Sequence, residues 1–166
     1  FDAPDQRMHP TLRHRSDNVV VWSGECLCVQ AFYSAPTVAD LDAIQTICSE
    51  LPKKYATIVL IDLEKLGSIA IDGDARRKAD ELAAATKDWV AVTSMAVMGS
   101  GMTGCIVRGV ISAVTSVMGN HPLKVCDTLQ EAIEFVGENS DQMAQPCTAA
   151  ELQTGIDEAL GLLALP

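Results

Sequence analysis

One continuous apolar run, Ala-Thr-Ile-Val-Leu-Ile at residues 56–61, constrains the fold of this chain most strongly. Six apolar or β-branched residues in succession have the length of a strand, and such a strand must be covered on both faces. Helices cover both faces most readily when the strand lies inside a parallel sheet, because the chain then returns over the sheet after each strand. The run therefore predicts a layered α/β domain with this strand in its interior.

The segments on either side of this run alternate between strand and helix patterns. Gly24 lies in a short gap between the first two strand patterns, which signals an antiparallel hairpin. Strands that are separated by helices pair in parallel through right-handed crossovers. Strands are predicted at residues 19–22, 26–33, 56–61, 89–98 and 123–126, and helices at residues 37–51, 74–87, 101–118, 128–136 and 148–163. The predicted fold is α/β: a mixed, mainly parallel five-stranded sheet with an antiparallel N-terminal hairpin, flanked by helices.

Several of the predicted helices begin at residues that cap an N-terminus. A Thr or Ser followed three residues later by an acid or amide satisfies two backbone N–H groups reciprocally. Three such pairs occur, at Thr37 with Asp40, Thr128 with Glu131 and Thr148 with Glu151, and Asp72 or Asp74 can cap the helix after the apolar run. These positions fix where the predicted helices start.

The length of 166 residues suits one domain with tails. Residues 1–16 carry Asp, Pro, His and Arg without periodicity, so we predict a flexible N-terminal tail there. The α/β domain is predicted over residues 17–140. Residues 141–166 are expected to form an acidic C-terminal helix that packs on the domain or extends from it.

The charge balance restricts the partners of the chain. The formal net charge is −10 and no Lys/Arg-rich block is present, which argues against nucleic acid and anionic membranes as partners. The longest apolar stretches fall short of the ~20 residues that span a bilayer, so we expect no membrane insertion. Residues 127–166 hold eight acids and no Lys or Arg, which makes either a solvated face or a docking surface for a basic partner. The start shows no signal-peptide pattern, and we expect a cytoplasmic protein.

The cysteines and histidines give no metal signature. No C-x-x-C occurs, and His9, His14 and His121 lack ligand spacing, so we expect no metal and no cofactor. The six cysteines are dispersed and mostly lie in apolar segments: Cys26, Cys28, Cys48, Cys105, Cys126 and Cys147. This distribution favours buried thiols over a disulfide framework.

A glycine-rich turn is the strongest candidate for ligand chemistry. Residues 99–104 read G-S-G-M-T-G between a predicted strand and a predicted helix, and Asp127 follows the next strand. Glycines in this context let a backbone approach a phosphate at a helix N-terminus. A nucleotide-binding domain, however, normally begins with this motif, whereas here it follows the fourth of five strands. The open alternatives are a small anion, a nucleotide such as NAD or ATP, and close strand-to-helix packing; the candidate residues are Gly99, Ser100, Gly101, Thr103 and Gly104.

No group of catalytic side chains accompanies the glycine-rich turn. Cys105 falls in the first predicted turn of the following helix, where the helix dipole favours a thiolate. A nucleophilic thiol needs a base, and His121 lies beyond the far end of that helix. We therefore expect a structural cysteine and no enzyme activity.

Residues 58–63, Ile-Val-Leu-Ile-Asp-Leu, and residues 71–73, Ile-Asp-Gly, follow a β-β-α start and resemble the signature of STAS domains, the bacterial anti-sigma factor antagonist family. In that family an Asp-Leu element ends the strand, and a turn with a phosphorylatable Ser or Thr directly after an Asp starts the next helix. Asp62 and Asp72 match, but Gly73 occupies the phosphoacceptor position and Asp74 the next. The resemblance implies that the usual phosphorylation switch is absent at residue 73, with Ser68 as a substitute in the same loop.

The resemblance implies a non-enzymatic regulatory module that binds a protein partner. The implied partner-binding residues are Asp62, Ser68, Asp72, Gly73, Asp74, Arg76 and Arg77. A lipid or apolar ligand beneath the predicted helix at residues 101–118, as in CRAL-TRIO-like relatives, is a further alternative. A homodimer contact would give that helix the same apolar composition.

Overall fold

The computed structural model describes residues 10–65, 70–99 and 121–163. In this part of the chain, six strands form one sheet whose spatial order follows the sequence. The strands are β1 (Thr11–Arg15), β2 (Val19–Ser23), β3 (Leu27–Phe32), β4 (Tyr55–Asp62), β5 (Val90–Met98) and β6 (Leu123–Cys126). The helices are α1 (Val38–Glu50), α2 (Gly73–Thr86), α3 (Leu129–Glu138) and α4 (Ala149–Leu163), with a short 3-10 turn at Ser140–Gln142 before α4.

The pairing of the strands confirms the predicted mixed sheet. Strands β1, β2 and β3 pair antiparallel, whereas β3, β4, β5 and β6 pair in parallel. Strand β4 contains the apolar run and lies between β3 and β5, and its first six residues are buried. The run therefore marks the interior of the parallel part of the sheet, as the sequence predicts.

Strand β1 lies inside the segment that the sequence predicts as a flexible tail, and it raises the strand count from five to six. It pairs antiparallel with β2, with Leu12 opposite Trp22. Four of its five residues are exposed, so it has no apolar periodicity that a sequence pattern could reveal. Its position comes from backbone pairing and from Arg13, which donates to the Ser23 hydroxyl at 3.2 Å and pairs with Glu50 of α1.

Helices cover both faces of the sheet. On one face, Val20 and Trp22 of β2 belong to a core that includes Ile133 of α3 and Leu152 and Ile156 of α4. The C-terminal helix therefore packs on the domain rather than extending from it. The opposite face carries a second core, made of α1, α2 and strand residues such as Val19, Val21, Cys28, Tyr55 and Val90. Neighbouring residues of β2 thus enter different cores, because side chains alternate along a strand.

The predicted helix starts are confirmed. The Asp40 backbone N–H donates to the Thr37 hydroxyl at 3.2 Å, and the Thr37 N–H donates to the Asp40 carboxylate at 2.9 Å. Asp72 caps α2 by accepting from the Ala75 N–H at 2.8 Å. The hydroxyls of Thr128 and Thr148 accept in the same way from Glu131 and Glu151, each at 3.2 Å.

The five cysteines of the described ranges are buried thiols, as the sequence predicts: Cys26, Cys28, Cys48, Cys126 and Cys147. Cys105 lies outside the described residues.

No helix of the described ranges combines the length and apolar character that a membrane crossing requires.

Candidate functional site

The carboxyl end of β4 lies beside the carboxyl end of β5. Asp62 is the register partner of Met98, and the Leu63 N–H donates to the Met98 carbonyl oxygen at 2.8 Å. The Asp62–Leu63 turn and Gly99 are therefore neighbours at the edge of the sheet where open α/β folds bind their ligands. Both turns follow strands of the parallel part of the sheet, so this shared edge follows from the order of the elements.

Packing against Leu63 explains why residue 99 is a glycine. Its φ angle is 140°, which side-chain-bearing residues rarely adopt, and an added Cβ would lie 2.8 Å from the Leu63 Cβ. Close packing of the two neighbouring turns therefore accounts for the first glycine, whereas the strand-to-helix packing alternative stays a prediction. The other candidates of the turn, Ser100, Gly101, Thr103 and Gly104, lie outside the described residues, as does the predicted helix at residues 101–118. The anion and nucleotide alternatives therefore stay predictions.

Asp127, the acid of the nucleotide alternative, follows β6 at the same edge of the sheet and is exposed. Its backbone N–H donates to the Glu131 carboxylate at 3.4 Å. That contact places Asp127 in the cap of α3, where Glu131 closes the first turn. The cap gives the position a structural role in the fold.

The start of α2 presents the residues that carry the STAS resemblance. Asp72 is the N-cap, and Gly73 and Asp74 are exposed in the first turn. A Cβ added at Gly73 would have nothing within 4 Å, so a serine would fit there without displacing a neighbour. Lack of space therefore does not explain why residue 73 is a glycine rather than a phosphorylatable serine. Ser68, the substitute in the same loop, lies outside the described residues.

We define the loop–helix surface as residues 62–65 and 70–77. Its backbone is fixed locally, because the Asp62 carboxylate accepts from the Glu64 N–H at 3.0 Å and Asp72 caps α2. Its ion pairs, Lys65 with Asp62 at 4.0 Å and Arg77 with Asp74 at 3.5 Å, are largely exposed and stabilise little. Arg76 is exposed and has no ion pair within the described ranges. These charges contribute little to the fold.

A cavity of about 560 Å³ lies between the α1–α2 layer and the facing side of strands β3 to β6. Its volume falls in the range of small-molecule pockets. The walls are mainly apolar and include Phe32, Ile44, Val59, Ile61, Leu82 and Met95. The described lining comes from α1, α2 and the sheet. The helix predicted at residues 101–118, beneath which an apolar ligand is expected from the sequence, lies outside the described residues. One signal in the sequence could have indicated the cavity wall. Tyr55, Thr57, Val59 and Ile61 are spaced by two along β4 and therefore share the face that lines the cavity.

Polar groups interrupt the apolar wall of this cavity at two places. The Tyr55 side chain is 1% exposed, and its hydroxyl makes no hydrogen bond of normal length and angle within the described residues. At the β5–β6 end, the Thr93 hydroxyl lies 2.9 Å from the His121 Nε2 atom. Burial lowers the pKa of His121, so its imidazole is neutral at neutral pH.

Two buried thiols lie in the same core as Tyr55. They belong to Cys28 of β3 and Cys48 of α1. The Gln30 amide lies 3.7 Å from the Cys28 sulfur. The Cys28 hydrogen bond lowers the pKa of Cys48 to about 7 against the opposing effect of burial, with help from Tyr55 and the Lys53 charge. No local sequence pattern predicts this pair, because its members lie on different elements.

Comparison with known proteins adds a likeness of fold only. No family model matches the chain, and no curated protein matches it in sequence. Among solved structures, the chain is similar to an uncharacterized protein of the DUF3478 family from Shewanella loihica PV-4, described as having a SpoIIAA-like fold. The two are 12% identical with a TM-score of 0.49, and the match covers 76% of this chain and 90% of that chain.

Proposed function

We propose that the protein is a non-enzymatic regulatory module that binds a protein partner through the loop–helix surface. One observation carries the proposal: a locally fixed backbone at the carboxyl edge of a parallel sheet presents charged side chains that the fold does not need. A backbone that is already ordered loses little conformational entropy when it binds. The surface is therefore suited to recognition.

The composition of the surface fits a protein partner better than a small ion. Ile71 is 37% exposed, directly before the cap of α2, and lies among charged residues of both signs. Protein interfaces combine an apolar centre with a polar rim, and exposed arginines are enriched in them. Ile71 supplies such a centre, and Asp74, Arg76 and Arg77 supply the rim.

Binding at this surface would be constitutive with respect to residue 73. Gly73 offers no hydroxyl, so no phosphate can add its charge of nearly two units at the start of α2. The partner would respond to its concentration, or to modification elsewhere, rather than to phosphorylation of this residue.

A charge reversal at the surface tests the proposal. The Arg76→Glu/Arg77→Glu variant should lose partner recovery in an affinity pull-down while it keeps its melting temperature. The matched control is Arg15→Glu/Lys124→Glu, which changes the net charge equally at two other exposed positions and should keep the partner. Equal recovery with both variants would remove the loop–helix surface from the proposal.

The second candidate function is the binding of an apolar small molecule in the cavity. The Tyr55 hydroxyl favours it, because its polar neighbour within the described residues is the weakly accepting Cys48 sulfur, so the hydroxyl is a natural anchor for a ligand oxygen inside the apolar wall. Native mass spectrometry tests this candidate. A co-purifying apolar molecule that is lost from a Val59→Trp variant would support it, and a mass equal to that of the chain alone would contradict it.

A further inference from the structure

The lining of the cavity is polar toward one end and apolar toward the other. Tyr55 is the first residue of β4, and Thr93 of β5 is the register partner of Thr57, so three hydroxyls line the end where these parallel strands begin. Phe32 and Ile61 are register partners near the opposite end, where β3 and β4 finish. The cavity therefore has the polarity of a molecule with one polar head and one apolar chain.

Tyr55 supplies a hydrogen-bond donor at the polar end. It is 1% exposed, and the polar neighbour of its hydroxyl within the described residues is the weakly accepting Cys48 sulfur. The Thr93 hydroxyl and the His121 Nε2 atom lie 2.9 Å apart and satisfy each other. A ligand oxygen that accepts from Tyr55 would therefore recover desolvation free energy that the weak sulfur contact leaves unrecovered.

The described lining offers no buried opposite charge to an ionised head group. It contains no Asp or Glu, and the burial-lowered pKa of His121 keeps that imidazole neutral at neutral pH. The lysine of the lining, Lys87, is exposed and is the C-cap of α2, where the helix dipole stabilises a cation. A carboxylate or phosphate inside the cavity would lose its hydration without gaining a buried counter-charge, which costs free energy. The head group that fits is therefore uncharged.

We propose that the cavity binds an uncharged single-chain amphiphile of the long-chain alcohol type, whose oxygen accepts from the Tyr55 hydroxyl and whose chain runs toward Ile71. This inference rests on the second candidate function and names the class and the orientation of its ligand. Ile71 lines the cavity on the carboxyl side of β4, directly before the cap of α2, and is 37% exposed within the loop–helix surface. The far end of a bound chain would therefore contact a residue of that surface.

Equilibrium dialysis with radiolabelled n-dodecanol and dodecanoate at neutral pH tests the class of the ligand. Dodecanol should bind saturably, and dodecanoate at least about tenfold more weakly, because its charge must be desolvated. Tyr55→Phe should weaken dodecanol binding about three- to tenfold, the value of one hydrogen bond. The matched control is Tyr33→Phe, because Tyr33 packs against the core on the opposite face of the sheet and should leave the affinity unchanged.

The dependence of binding on chain length tests the orientation. The backbone from Tyr55 to Ile61 spans about 20 Å at ~3.3 Å per strand residue, so a short chain anchored at Tyr55 ends before the apolar end of the cavity. Ile71→Ala should therefore weaken n-dodecanol binding about threefold or more and leave n-octanol binding unchanged. Equal effects on the two alcohols would overturn the proposed orientation.

Three other results would overturn the proposal: no dodecanol binding, dodecanoate bound as tightly as dodecanol, or a folded Tyr55→Phe variant with wild-type affinity. None of them removes the second candidate function by itself, which still stands if a co-purifying apolar molecule is lost from the Val59→Trp variant. None of them bears on the recovery of a protein partner in the Arg76→Glu/Arg77→Glu experiment. Failure of this inference is therefore distinguishable from failure of either proposed function.

Discussion

The Nε2 atom of His14 on β1 lies 2.9 Å from the Oδ1 atom of Asp40 in the first turn of α1. Asp40 is buried, and its other carboxylate oxygen closes the capping box with Thr37. Burial alone would raise the pKa of Asp40, but hydrogen bonds from Thr37, His14 and Ser16 lower it to about 2. One carboxylate therefore ties the edge strand to the start of α1.

Replacing this carboxylate should cost stability in a pH-dependent way. The folded-state pKa of Asp40 lies below the unfolded value, so its contribution is present above about pH 4 and is lost as the pH falls toward 2. Asp40→Asn should lower the free energy of unfolding by about 2 kcal/mol at pH 7, measured by urea denaturation. The gap to the wild type should narrow between pH 4 and pH 2. Asp80→Asn, at an exposed position of α2, should have no such effect, and a gap independent of pH would contradict the account.

Two glycines should respond to alanine in opposite directions. Gly99→Ala should lower the free energy of unfolding by roughly 1–3 kcal/mol, because of its φ of 140° and the 2.8 Å approach to Leu63. Gly73→Ala should raise it by about 0.5 kcal/mol, because an open helical position gains from a less flexible unfolded chain. Calorimetric melting of both variants checks the pair. A destabilised Gly73→Ala would show that the start of α2 is more constrained than described.

Tyr55→Phe should leave the ligand-free protein as stable as the wild type or more stable by about 1 kcal/mol. The Cys48 sulfur is a weak acceptor for the buried Tyr55 hydroxyl, so much of the desolvation free energy of the hydroxyl is not recovered, and the phenyl ring keeps the packing. The measurement is the urea midpoint of both proteins, with Tyr33→Phe as a less buried control. A loss of more than about 1 kcal/mol would mean that the hydroxyl is paired.

The alkylation of cysteines should separate Cys48 from Cys126. The rate of Cys48 alkylation by iodoacetamide should rise with a midpoint near pH 7, because its pKa is about 7 and the thiolate is the reactive form. Burial raises the pKa of Cys126, so its labelling should need a more alkaline solution. Mass mapping of the labelled peptides gives both profiles. Superimposable profiles would contradict the lowered pKa of Cys48.

The sequence predicted those parts of the fold that depend on local pattern. Strand β4 was recognisable because an unbroken apolar run fits only a covered strand, and α1 because Thr37 and Asp40 form a box with one geometry. Strand β1 was missed because its side chains are mostly exposed and its position depends on backbone pairing with β2. An exposed edge strand leaves little trace in apolar periodicity.

The candidate sites also combine features that a local sequence pattern predicts with features that arise only from packing. Neighbouring turns at the carboxyl edge could be predicted, because parallel strands end at one edge of the sheet. The contact of Leu63 with Gly99 could not, because it joins residues far apart in the sequence through packing that no local pattern encodes.

Site-directed photo-crosslinking tests the central claim, recognition of a protein through the loop–helix surface, most directly. A benzophenone-bearing residue would replace Ile71 in one sample and Leu12, which is comparably exposed on β1, in the other. The account predicts one discrete crosslinked partner from position 71 and none from position 12, with loss of the product in the Arg76→Glu/Arg77→Glu background. Equal products from both positions, or a product at position 71 that survives the charge reversal, would contradict it.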